Sequence, residues 1–160
     1  MEFWMFETPL GTMAVGEEEG ALTRLWLPNQ PMPRLMPHKT PLLERAEGQI
    51  MEYLNGQRQV FDLPLSPVGT EFQQKVWNAL LDIPYGETES YGALAQRIGC
   101  PGGARAVGLA NRNNPLPILI PCHRVVGSKG KLTVYAWGVD RKQWLLSHEG
   151  WKGMGRNDYQ

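Results

Sequence analysis

Cysteine and histidine are scarce in this chain, with two and three copies among 160 residues, and its 16 basic side chains cancel its 16 acidic ones. Two cysteines, Cys100 and Cys122, cannot build a disulfide framework, and neither stands in a Cys/His cluster with zinc spacing. Reduced thiols, no bound metal and no cofactor are therefore expected. No apolar run approaches the roughly 18 residues that cross a bilayer. The start Met1-Glu2-Phe3-Trp4 lacks the basic residues and long apolar stretch of a signal peptide. These absences point to a folded cytoplasmic protein with no membrane partner. Internal repeats and low-complexity tracts are missing too, and 42% hydrophobic residues suffice for a core.

Zero net charge argues against a nucleic-acid partner until the charges are placed. Residues 1–89 hold 6 basic and 13 acidic side chains, and residues 90–160 hold 10 and 3. A basic second half can grip phosphates while an acidic first half limits indiscriminate binding. Ordinary variation between two solvated halves accounts for the same counts.

Segments 3–8, 11–17 and 21–27 are rich in strand formers and separated by Pro9-Leu10-Gly11 and the turn-like Glu17-Glu18-Glu19-Gly20, which predicts an antiparallel meander. Five prolines in 28–41 predict an irregular connection. A helix over about 41–55 follows, with Leu43, Ala46, Ile50 and Leu54 on one face. Residues 60–63 suit one more strand, and Pro64 to Gly69 reads as an interdomain linker, giving domains 1–66 and 67–160. Thr70 and Gln73 form a capping box for a helix running to about Ile83. Ser90 caps a short helix over 91–98, and the turn Gly99-Cys100-Pro101-Gly102-Gly103 leads into another over 104–112, a helix-turn-helix arrangement. Asp140 with Gln143 makes a second capping box, for a helix that stops at Gly150.

The most informative stretch is Pro121-Cys122-His123-Arg124-Val125, which follows the apolar run Leu116-Pro117-Ile118-Leu119-Ile120. A buried strand leading into Pro-Cys would hold the sulfur at a fixed depth. A neighbouring imidazole can take its proton to make a thiolate nucleophile. Taken alone, the same pair also fits a buried structural cysteine.

Several further motifs stand in order with it: Gly69-Thr70-Glu71-Phe72-Gln73, Ile83-Pro84-Tyr85-Gly86-Glu87-Thr88, Ser90-Tyr91-Gly92, Arg105-Ala106-Val107-Gly108, Asn114-Pro115, Tyr135-Ala136, Trp144-Leu145-Leu146 and His148-Glu149-Gly150. With Pro-Cys-His-Arg-Val, they make residues 69–150 resemble the C-terminal domain of O6-alkylguanine-DNA alkyltransferases, the methylated-DNA–protein-cysteine methyltransferases. The first 65 residues resemble that family's smaller domain in layout only. The resemblance implies a small N-terminal α/β domain, an antiparallel sheet plus helix, followed by a mainly helical, winged helix-turn-helix-like alkyltransferase domain.

It also implies the chemistry. An alkyl group on guanine O6 is an unactivated carbon whose displacement needs a soft, strong nucleophile. By similarity Cys122 is the irreversible, single-use acceptor. His123 takes its proton through a water, and Glu149 orients the imidazole. Tyr135 donates a proton or hydrogen bond as charge develops on the leaving guanine. Asn114 ties the acceptor loop together, and Val125, Ala136 and Trp137 line the base pocket. The target nucleotide must leave a double-stranded DNA stack. By similarity Arg105 fills the gap through the minor groove and Tyr91 meets the adjacent phosphate, while the small residues Ala106, Gly108 and Ala110 let the helix approach the backbone. A monomer acting on DNA is expected.

One stretch departs from the family pattern. Val134-Tyr135-Ala136-Trp137-Gly138 carries bulky residues where glycines are usual, so Trp137 is expected beside the pocket, either narrowing its entrance or forming an apolar wall against larger alkyl groups. Two other readings are a non-catalytic alkyltransferase-like sensor of alkylguanine, which would not need Cys122, and a plain winged helix-turn-helix regulator.

Overall fold

Residues 2–26 fold as a three-stranded antiparallel sheet in order β1 (Glu2–Thr8), β2 (Gly11–Glu18), β3 (Ala21–Trp26). The computed structural model describes residues 1–133 and 135–152, so the bulky Val134 lies outside the described residues. Strands β2 and β3 meet through Glu19-Gly20, both at positive φ (51° and 81°), the backbone that a two-residue hairpin turn requires. Helix α1 (Pro41–Leu54) is capped by Thr40, whose hydroxyl accepts from the Leu43 amide, and buries Leu43, Ala46, Ile50, Tyr53 and Leu54. Phe3, Met13, Val15, Leu22 and Leu25 are also fully or almost fully buried in this unit.

Residues 60–63 do not form the expected strand. The backbone of Asp62 is satisfied by side chains of α1 instead. Its amide donates to Gln49 (2.9 Å), and its carbonyl accepts from Gln49 (3.2 Å) and Arg45 (2.6 Å). The pairing comes later, in the stretch read as a linker. Leu22 bridges Leu65, its amide donating to Pro64 and its carbonyl accepting from Ser66. The chain divides into two compact units, Met1–Val68 and a second beginning at Gly69.

In the second unit Thr70 and Gln73 make the expected reciprocal capping box at α2 (Glu71–Leu80). This helix ends earlier than the expected Ile83, in turns that lead to Pro84. Ser90 caps α3 (Tyr91–Arg97), and the glycine-rich turn leads to α4 (Ala104–Arg112). Trp77 locks α2 to α4, donating from its indole to the Ala110 carbonyl at 2.8 Å. Two-residue strands β4 (Glu89–Ser90) and β5 (Val125–Val126) pair in parallel, fixing the start of α3 beside the Cys122 segment.

Two further local expectations fail for identifiable reasons. The run Leu116–Ile120 is buried but is not a strand. Asn114 accepts from the Leu116 amide and donates to the Ile120 carbonyl, both at 2.9 Å, curling the chain around Ile118, whose φ is +72°. A β-branched residue there is a strained outlier. The capping box at Asp140 is also absent. Gly138, at φ 95°, is already the N-cap of α5 (Val139–His148), and its carbonyl accepts from Arg141 and Lys142, which leaves Asp140 inside the first turn. The helix stops as expected. Gly150 at φ 84° lets its own amide and that of Trp151 return to Ser147 and Leu146.

Candidate active site

The curl held by Asn114 delivers Cys122 into a single 3-10 turn, Cys122–Arg124, in which all three side chains are buried. Asn111, on the inner face of α4, donates to the Cys122 carbonyl at 3.2 Å. Burial pushes the Cys122 thiol above its ordinary value, while Asn114, the Lys142 charge and Tyr135 pull it down. The sulfur therefore sits where a thiolate is costly unless the surrounding polar groups stabilise it.

Glu149, the C-cap of α5, is the hub of the site. Its carboxylate accepts from His123 Nε2 (2.7 Å), Arg124 Nε (2.9 Å), Arg124 Nη2 (3.0 Å) and the Gly86 amide (3.1 Å). Arg124 also donates to the Ile83 carbonyl at 2.7 Å and lies 5.8 Å above the Tyr85 ring. Burial alone would raise the Glu149 pKa, but His123 and Arg124 outweigh it and hold the carboxyl well below the usual range. Burial pushes His123 below its ordinary value, against the pull of Glu149. The imidazole is thus neutral near neutral pH. An ionised carboxylate only accepts hydrogen bonds, so Nε2 carries the hydrogen and Nδ1 carries the lone pair. Nδ1 is buried and has no hydrogen-bond partner among the described residues, leaving it open to receive a proton.

Tyr135 is 6% exposed, Val125 is fully buried in β5, and Ala136 is exposed. Trp137 is not at an open rim. It is 7% exposed, with the Arg141 guanidinium 5.4 Å from its ring centroid.

On α4, Arg105, Gly108, Leu109 and Arg112 share one face and, with Tyr91, Ala104 and Thr133, line an open cavity of about 490 Å³. Trp137 is not among its lining residues. Arg105 and Ala106 are exposed. Ala110 lies on the opposite, buried face, 3% exposed with its carbonyl bound to Trp77, which removes it from the residues able to touch DNA. The Tyr91 hydroxyl is 2.7 Å from that of Thr133, and Lys142 Nζ lies 3.5 Å from the same phenol. Burial raises the Tyr91 phenol above its ordinary value. Among the described residues, no cluster of three or more His, Cys, Asp or Glu side chains could hold a metal ion, and no helix is long and apolar enough to cross a membrane.

This buried Cys-His-Arg turn closed by a distant glutamate coincides with a family match over both units. Residues 3–67 match the ribonuclease-like domain of 6-O-methylguanine DNA methyltransferase, and residues 71–151 match its DNA binding domain. A methylated-DNA–protein-cysteine methyltransferase of Methanosarcina acetivorans is 45% identical over 94% of this chain and 99% of its own. The constitutive one of Bacillus subtilis is 48% identical over 89% and 92%. The chain belongs to the 6-O-methylguanine DNA methyltransferase family. Its fold agrees with the crystal structure of Mycobacterium tuberculosis OGT in complex with DNA, at TM-score 0.86 and 44% identity over 93% of this chain and 92% of that one.

Three buried groups of this methyltransferase-family site carried no role in the sequence reading: Arg124, Asn111 and Lys142. Arg124 stood in the quoted signature, but its partner Glu149 is 25 residues away. Lys142 had a readable signal. It falls at the spacing of Leu145, Leu146 and Glu149, the buried face of α5, where a solvated lysine does not belong.

Proposed function

We propose that this chain repairs DNA by moving the alkyl group of O6-alkylguanine irreversibly onto its own Cys122. The carrying observation is the buried Cys122 turn in which His123 is neutral, tied through Nε2 to an ionised Glu149, and open at Nδ1. The thiol proton passes to Nδ1 through a bridging water. The thiolate attacks the alkyl carbon, a carbon–sulfur bond forms as the carbon–oxygen bond breaks, and the electron pair leaves on the guanine. Tyr135 donates to the leaving base, which departs neutral after taking up a proton. The product thioether has no hydrolytic route back to a thiol, so each molecule acts once.

Arg105, exposed on the cavity face of α4, enters the duplex from the minor groove as the nucleotide rotates out, and Tyr91 meets the flanking phosphate. Ala106 and Gly108 allow close approach to the backbone, while Val125, Ala136 and Trp137 help shape the base pocket. The domains 1–66 and 67–160 divide structural support from chemistry. The protein works as a cytoplasmic monomer, where Cys100 and Cys122 stay reduced. Duplex DNA carrying labelled O6-methylguanine tests the proposal. Wild-type protein becomes labelled and Cys122→Ser does not, while the variant still binds DNA. Binding without labelling by the wild type would favour a non-catalytic sensor.

A further inference from the structure

Buried polar atoms are almost always hydrogen-bonded, and one that is not calls for a reason. Asn111 is 3% exposed, and its Oδ1 is buried with no hydrogen-bond partner among the described residues. The orientation of the amide is fixed by its other branch. A carbonyl only accepts, so it is Nδ2 that faces the Cys122 carbonyl at 3.2 Å, and Oδ1 is the branch left over. Along α4, Asn111 stands seven residues after Ala104 and three after Gly108, spacings that put all three in one row of the helix. Ala104 and Gly108 line the open cavity. Asn111 therefore sits where the cavity row of α4 meets the Cys122 turn. Folding has already taken this oxygen out of bulk water, and only a group with a hydrogen to donate can compensate it.

We propose that Asn111 Oδ1 accepts a hydrogen from the exocyclic 2-amino group of the extruded base, which makes Asn111 a specificity-determining residue. This rests on the reading of Cys122 as acceptor of an alkyl group from guanine. Alkylation at O6 leaves N1 of guanine without a hydrogen, and N3 and N7 carry none, so the 2-amino group is the one N–H donor on the base. An acceptor placed beside the Cys122 carbonyl has nothing else on the substrate to bind. Because Oδ1 is out of bulk water before the base arrives, the new bond forms without stripping water from the protein. A base that lacks the amine leaves the oxygen unpaired.

The test times methyl transfer from duplexes carrying O6-methylguanine or O6-methylhypoxanthine, which differ by the 2-amino group alone. Wild type is compared with Asn111→Leu, a side chain of similar volume with no acceptor. The wild type is expected to prefer guanine by at least about tenfold, the scale of one hydrogen bond to a buried group otherwise left unpaired. That preference should shrink by at least about tenfold in the variant. A loss common to both bases reports only the missing bond to the Cys122 carbonyl, so an unchanged preference, with or without such a loss, would overturn the proposal. Equal wild-type rates on the two bases would overturn it as well. Transfer from neither base by the wild type would instead refute the reading of Cys122 as acceptor. In that event, or if Asn111→Leu fails to fold, the side-chain amide NMR signals of Asn111 in Cys122→Ser protein decide. They are expected to differ between the complexes with the two duplexes, and coincident signals would refute the role of Asn111.

Discussion

Replacing Glu149 by glutamine removes the anion that holds His123, Arg124 and the Gly86 amide together while leaving side-chain volume nearly unchanged. The Glu149 and Arg124 side chains are 0% and 9% exposed, so water cannot replace the lost carboxylate. Stripping one partner from a buried pair costs about 3–5 kcal/mol. That is a large share of the roughly 5–15 kcal/mol by which a folded domain is stable. Urea unfolding of Glu149→Gln is therefore expected to show a loss in that range. The glutamine amide can also donate a hydrogen to His123 Nε2, which would move the ring hydrogen to Nδ1 and disable the base, so transfer falls as well. Arg124→Met in the same molecule removes the orphaned cation, and the double variant should lose less than the sum of the singles by up to about 3 kcal/mol. A Glu149→Gln cost below about 1 kcal/mol, or strict additivity, would refute the account of Glu149 as the electrostatic hub.

Two further outcomes follow from the geometry. Arg105→Ala should slow repair of duplex DNA far more than reaction with free O6-benzylguanine, because only the duplex must be opened, at a few kcal/mol; equal losses would place Arg105 in the fold or the base pocket instead. Acid should destabilise the protein in two stages. His123 and Glu149 both have folded pKa values below their unfolded ones, so the unfolded chain binds more protons. Stability is then full above about 6.5, falls as unfolded His123 gains its proton, and falls again below about 4.3 as unfolded Glu149 does. Melting temperature against pH checks this, and a flat profile from pH 7 to 4 would contradict it.

Features set by neighbouring residues were legible in the sequence. Thr70 with Gln73 and Ser90 with Ala93 are caps whose donors and acceptors lie three residues apart, and the meander follows from its turns. The same logic misled at Asp140, because the left-handed Gly138 starts the helix earlier. It also misled at Leu116–Ile120, where apolar character suggested a strand but Asn114 and the prolines bend the chain. At the site, the Cys122, His123 and Glu149 set came through the family resemblance. The grip of Arg124 on Glu149 and the burial of Lys142 did not, since both depend on segments brought together by folding. Trp137 was placed at a pocket rim by analogy; it is 7% exposed, with the Arg141 guanidinium against its ring.

The central claim is that Cys122 is the acceptor and is used once. Wild-type protein incubated with excess duplex DNA carrying methyl-labelled O6-methylguanine, then digested and mapped by mass spectrometry, tests it most directly. The account predicts one methyl per protein molecule, on the peptide containing Cys122. Label on Cys100, or repair of more than one lesion per molecule, would contradict it.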